Sequence, residues 1–168
     1  MTAGQSAQTS SEKRLQKALA LSFAQLNRRE RTVGEVRRQL ERKGIGADAL
    51  EAAIETLVVG GYLDDGRYAL MFVHDKRALE GWGSERIRRE LAARGVDRDL
   101  VEGALAEDEL EHRAGESELQ RAVAVLRRRF PSPPTERRER DRALGVLVRK
   151  GFEAELAVEA IARHARGD

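Results

Sequence analysis

Cysteine is absent, which excludes a disulfide framework and any thiolate metal site. Small secreted domains often need such staples, so the reading is a cytoplasmic, reducing location. Aromatic residues are only 4% of the chain and β-branched residues are sparse, and no stretch reads as a strand. No apolar run approaches the ~18 residues of a membrane span, so no membrane partner is expected. Proline is confined to Pro131, Pro133 and Pro134, where it stiffens one turn. The first residues, 1–11, are small and polar with no hydrophobic signal region, and read as a disordered tail.

What is present favours helix. Ala, Leu, Arg and Glu dominate the 168 residues, and all are good helix formers. Charged residues reach 36%, high for one compact core and suited to a thin or elongated helical protein. The net charge is only +2, but it is unevenly spread. Arg28 to Lys43 and Arg121 to Lys150 are basic, while Asp97 to Glu118 is acidic. Most of the basic residues are arginine, whose planar fork of donors suits phosphate and carboxylate.

The organising feature is an internal repeat. Val36 to Leu57, Ile87 to Asp108 and Ala143 to His164 align, with Leu40, Leu91 and Leu147 in register. Gly44, Gly95 and Gly151 also coincide, each after a basic residue and before Ile45, Val96 or Phe152. A helix is expected to end at each glycine, which can take the left-handed conformation. A second helix then starts near Asp48, Asp97 or Glu153. A further helix precedes each pair, with stripes at Leu15, Leu19, Phe23 and Leu26, at Tyr68, Phe72 and Val73, and at Leu119, Val123, Leu126 and Phe130. Thr32 and Glu35 have capping-box spacing, and Gly81, Trp82, Gly83 and Ser84 form the matching turn in the second unit. The expected fold is all-α: three tandem three-helix units over 12–63, 64–113 and 114–168, packed on one another as in repeat proteins. A helical link is expected over Glu107 to Glu118.

No catalytic constellation is legible, and neither enzyme activity nor a cofactor is expected. His74, His112 and His164 show no metal spacing. Gly81 to Gly83 is too short for a phosphate loop and no Lys-Ser/Thr follows it. Asp64 and Asp65 stand at the start of a helix, where acids cap amides and suit the dipole. Trp82 in its glycine turn reads as either an inter-helix wedge or a partner contact, with packing the default.

The run Gly61, Tyr62, Leu63, Asp64, Asp65, then Arg67, Tyr68, Ala69, then Phe72, Val73, then Arg77, then Gly81, Trp82, Gly83 and Ile87 to Leu91 resembles the signature of RecX, a family of bacterial regulators of the RecA recombinase. Arg28 to Glu30, Glu35 to Leu40 and Lys43-Gly44 fit its first unit, and Leu147 to Phe152 its third. The resemblance spans about Leu15 to Ala165, and Pro131 to Pro134 depart from the pattern. It implies an elongated, curved repeat protein, a monomeric regulator without catalytic residues that lies in the groove of the RecA–DNA filament. Such a protein limits filament growth, ATP hydrolysis and coprotease activity in DNA repair and the SOS response. The alternative is a DNA-binding protein using tandem helix-turn-helix-like units, and weak direct contact with DNA is compatible with either reading. The residues expected to meet the partner are Arg37, Arg38, Arg42, Arg77, Arg88, Arg89, Arg94, Arg127, Arg128, Arg149 and Lys150. Gly44, Asp64, Asp65, Gly81, Gly83, Gly95 and Gly151 are expected to be structural.

Overall fold

A computed structural model describes residues 3–111 and 117–167, with side chains from Thr9 onward. Its described residues form nine helices and no strand. They are α1 (Ala3–Leu26), α2 (Val33–Arg42), α3 (Ala47–Val59), α4 (Asp65–Glu80), α5 (Ser84–Ala93), α6 (Arg98–Glu111), α7 (Glu118–Arg129), α8 (Arg137–Lys150) and α9 (Ala154–Arg166). Three helix triplets follow one another, as the repeat requires. Residues 112–116, which include His112 and the middle of the expected link, lie outside the described residues.

The expected tail is corrected. From Ala3 the chain belongs to α1, so residues 3–11 are helical. Ala3, Gln5, Ala7 and Gln8 carry good propensity, and no proline interrupts them. Small size and polarity argue against burial and leave helix formation open.

The local signals for helix ends are met. Thr32 and Glu35 form a reciprocal capping box at α2. Gly44, Gly95 and Gly151 have φ of +70°, +82° and +92°. Ile45 and Phe152 donate their amides back to the Leu40 and Leu147 carbonyls, closing the helix ends as Schellman turns.

The described residues cluster into two compact units rather than three. The first holds the chain up to Tyr68 together with Arg94–Asp97; the second holds Ala69–Ala93 and the chain from Arg98 onward. In the first, Val36 and Leu40 of α2 meet Leu50, Ala53, Ile54 and Leu57 of α3. Helix α1 brings Ala18, Ser22 and Gln25 deepest, while Leu15, Leu19, Phe23 and Leu26 pack half-buried around them. Ser22 lies fully buried because its hydroxyl donates to the Ala18 carbonyl at 2.9 Å. In the second, Val123 and Leu126 pack with Leu147, Phe152, Ala157, Ala160 and Ile161. His164 is buried there and donates to the Phe130 carbonyl at 2.8 Å, a structural task. Trp82 is also buried, edge-on to Phe72 at 6.2 Å with the Arg86 guanidinium 3.8 Å above its ring. Of its two readings, burial favours packing.

Candidate interaction site

The second helix of each triplet carries most of the expected contact residues, and the structure divides them. Arg37 forms a two-pronged ion pair with Glu51. Arg88 repeats it with Glu102, at 2.8 and 3.1 Å, and adds Glu85 at 2.6 Å. These pairs push both guanidinium pKa values up and hold Glu51 and Glu102 below the usual carboxylate range. Each arginine is therefore tied to the third helix of its own triplet. In α8 and α9 the same two positions are Leu144 and Val158, which line an apolar cavity of about 460 Å³ with Ile161 and Pro134. The spacing of 14 between Arg37 and Glu51, repeated by Arg88 and Glu102, is a sequence signal for the pairing.

One residue further on, the situation reverses. Arg38 and Arg89 are solvent-exposed, and no described residue engages them in a hydrogen bond or ion pair. Each stands two positions before the buried Leu40 or Leu91. Arg42, Arg127, Arg128 and Arg149 are exposed as well. Arg94 donates to the Tyr68 hydroxyl at 3.2 Å, and Lys150 donates to the Glu80 carbonyl at 2.5 Å. Lys150, Arg128 and Arg129 rim a cavity of about 330 Å³ with Glu80, Gly81, Val125 and Val146.

Arg77 must be reassigned. Its side chain is 4% exposed and donates to Asp108 at 2.6 Å, Ser84 Oγ at 2.9 Å and Glu109 at 3.4 Å. Burial among carboxylates makes it an internal strut rather than a contact residue, because an unpaired charge at that depth is costly. The helical spacing Ala69, Val73, Arg77 placed it on the buried stripe, and its charge masked that. Nearby Arg121 is also buried; desolvation pushes its pKa down, and so does the positive charge of Arg77.

The structural glycines and acids do more than end helices. Asp64 caps α4, accepting from the Arg67 amide at 2.9 Å. Asp65 instead accepts from the Val33 amide at 2.9 Å, at the N-terminus of α2. Its carboxyl pKa is pushed up, first by burial and then by Asp64 and Glu35, against the Val33 hydrogen bond. In the second unit Glu118 does the same for Ser84, accepting from its amide at 2.7 Å and its hydroxyl at 2.8 Å. Val33 and Ser84 are equivalent in the repeat, and so are the first residues of α4 and α7.

Beside each of these contacts lies a glycine turn. Thr32 Oγ1 donates to the Arg94 carbonyl at 2.6 Å, and a Cβ on Gly34 would sit 2.6 Å from that oxygen and 2.9 Å from Gly95 Cα. Gly83 and Glu85 donate to the Lys150 and Gly151 carbonyls at 2.9 and 3.0 Å, and a Cβ on Gly151 would sit 2.2 Å from Arg86 Cβ. One joint thus occurs twice. The N-terminus of a triplet's second helix meets the C-terminal turn of the next triplet's second helix, joining orphan carbonyls to the Thr32 hydroxyl in the first joint and to the Gly83 and Glu85 amides in the second. Gly34, Thr32, Ser84 and Glu118 are the members that sequence reasoning did not single out for this.

Comparison with known proteins agrees. Models of the RecX family match residues 18–57, as "RecX, first three-helix domain", and 64–105, as "RecX, second three-helix domain". A "Regulatory protein RecX" of Xanthomonas campestris pv. campestris is 36% identical over 140 residues, covering 83% of this chain and 80% of that protein. The chain belongs to the RecX family. Another RecX regulatory protein, from Mycobacterium avium, is 31% identical over 156 residues, covering 91% of this chain and 87% of its own. The crystal structure of RecX from Lactobacillus salivarius superposes with a TM-score of 0.75 at 21% identity, over 94% of this chain and 99% of that one, which places the fold. The RecX relatives are named for regulation. Among the described residues no group of three His, Cys, Asp or Glu is arranged to hold a metal, and no helix is long and apolar enough to cross a membrane.

Proposed function

We propose that this RecX-family chain binds the RecA–DNA filament as a monomeric cytoplasmic regulator and inhibits its ATP hydrolysis and growth. The observation that carries the reading is the recurrence of one exposed, unengaged arginine at the same place in successive triplets, Arg38 and Arg89. A filament presents the same protomer surface again and again. Repeated side chains suit such an array, since each later contact forms at high effective concentration once the first is made. Arg42, Arg127, Arg128, Arg149 and Lys150 extend the basic surfaces of their respective units.

A DNA-binding reading draws support from the exposed pair Arg128 and Arg129, which suits a phosphate, against the acid Glu80 that lines the same cavity. Salt separates the two. Phosphate contacts release counterions, so affinity for naked single-stranded DNA falls steeply with salt. The proposal expects binding to RecA filaments to persist at salt that abolishes binding to naked DNA, measured by anisotropy of the labelled chain. Equal loss on both would favour DNA as the partner.

A further inference from the structure

The joint described above has two occupied copies and one open copy. The turns at Gly95 and Gly151 each receive a helix N-terminus from the preceding triplet. The turn at Gly44, equivalent in sequence and in its left-handed φ of +70°, receives no helix N-terminus from the described residues. A Cβ built on Gly44 meets nothing within 4 Å. The Lys43 and Gly44 carbonyls accept no hydrogen bond from the described residues, whereas the Arg94, Lys150 and Gly151 carbonyls each accept one. Ile45 is only half-buried, whereas its equivalents Val96 and Phe152 are 6% and 2% exposed.

We propose that the Lys43–Gly44–Ile45 turn is a docking site for a helix N-terminus of the recombinase, a deepening that rests on the RecA reading above. The two internal joints define the chemistry of the occupant. It presents hydrogen-bond donors at its first turn to the turn carbonyls, a hydroxyl as at Thr32 or backbone amides as at Gly83 and Glu85, with its backbone close against the glycine. The partial positive charge of its N-terminus meets the partial negative charge at the end of α2. Exposed Arg42 and Lys43 flank the turn and suit an occupant with an acid in its first turn, the usual place for one. A second copy of the chain fits poorly. In the repeat register, Glu139 of α8 stands where Thr32 and Gly83 begin α2 and α5, yet α8 already starts at Arg137. The N-terminus of α8, which carries no side-chain cap, therefore stands out of register with the two internal joints.

The test compares full-length wild type, Gly44→Asn and Gly61→Asn as inhibitors of ATP hydrolysis by RecA on single-stranded DNA. Asparagine tolerates the left-handed region, so both variants keep their turns. Gly61 has φ +73° and equally open surroundings, and controls for backbone strain alone. The Gly44→Asn side chain fills the space a docked helix needs. It is expected to raise the half-inhibitory concentration about tenfold, the equivalent of one or two lost hydrogen bonds. Gly61→Asn should match wild type. Gly46→Trp, at an ordinary φ with nothing around it, serves as a second block should Gly44→Asn unfold. Inhibition unchanged by a folded Gly44→Asn or Gly46→Trp overturns the docking site and leaves the regulator reading standing. Absence of inhibition by wild type overturns both. Self-association of wild type in sedimentation, lost in Gly44→Asn, would assign the turn to a second copy and overturn the recombinase occupant.

Discussion

A single carboxylate shows how much one side chain can be asked to do. Asp65 is half-buried, accepts from the Val33 amide, and has its pKa pushed up chiefly by burial. A raised folded-state pKa means that the folded chain holds the proton more tightly than the unfolded one. The contribution of Asp65 to stability is therefore best below the ordinary carboxylate range, about pH 4, and falls as pH rises through the raised value. Asp65→Asn keeps an acceptor for Val33 and removes the buried charge. Its melting temperature should equal or exceed that of wild type at pH 7, with the difference shrinking toward pH 4. Asp65→Ala, which leaves the amide unpaired, should cost about 1 kcal/mol. A lower melting point for Asp65→Asn at pH 7 would show that the carboxylate's charge at the helix N-terminus outweighs its burial. Arg77 teaches the converse: a residue with the charge of a contact and the spacing of a core position went to the core.

At the scale of helices and turns, the capping box at α2, the left-handed glycines and the expected turn at Gly81 to Ser84 were all legible in the sequence, because each depends on neighbours a few residues apart. The joints were not. Thr32 and Arg94 are 62 positions apart, and their neighbours meet through backbone atoms that leave no side-chain pattern. The two compact units cut across the three repeats for a related reason, since Arg94–Asp97 pack on the start of α2 and cluster with the first unit. Gly34 supplies a test of sign. In an ordinary helix Gly→Ala stabilises by roughly 0.5–1 kcal/mol. Here the added methyl would meet the Arg94 carbonyl at 2.6 Å, and overpacking of this kind costs about 1–3 kcal/mol. Thermal or urea unfolding of Gly34→Ala should show a loss; a gain would mean that the joint is loose in solution.

At the scale of the whole molecule, family and all-helical repeat were readable from the aligned glycines and the second triplet's motif, and both hold. The expected contact residues are sorted by the structure according to burial and pairing. Ion pairing by Arg37 and Arg88 and burial of Arg77 narrow eleven expected residues to a smaller exposed set led by Arg38 and Arg89. Truncation after the second triplet is a poor probe of repeated contact. It would strip the Gly83 and Ser84 amides of Lys150 and Glu118 and damage the second compact unit. Point charges avoid this. The decisive measurement is inhibition of RecA–single-stranded DNA ATP hydrolysis by full-length wild type, Arg38→Glu, Arg89→Glu and the double variant, with melting temperatures compared alongside. Each single variant should keep its melting temperature and lose inhibition several-fold. The double variant should lose on the order of 10²-fold, as expected when two linked contacts are broken together. Wild-type inhibition by the folded double variant would contradict it.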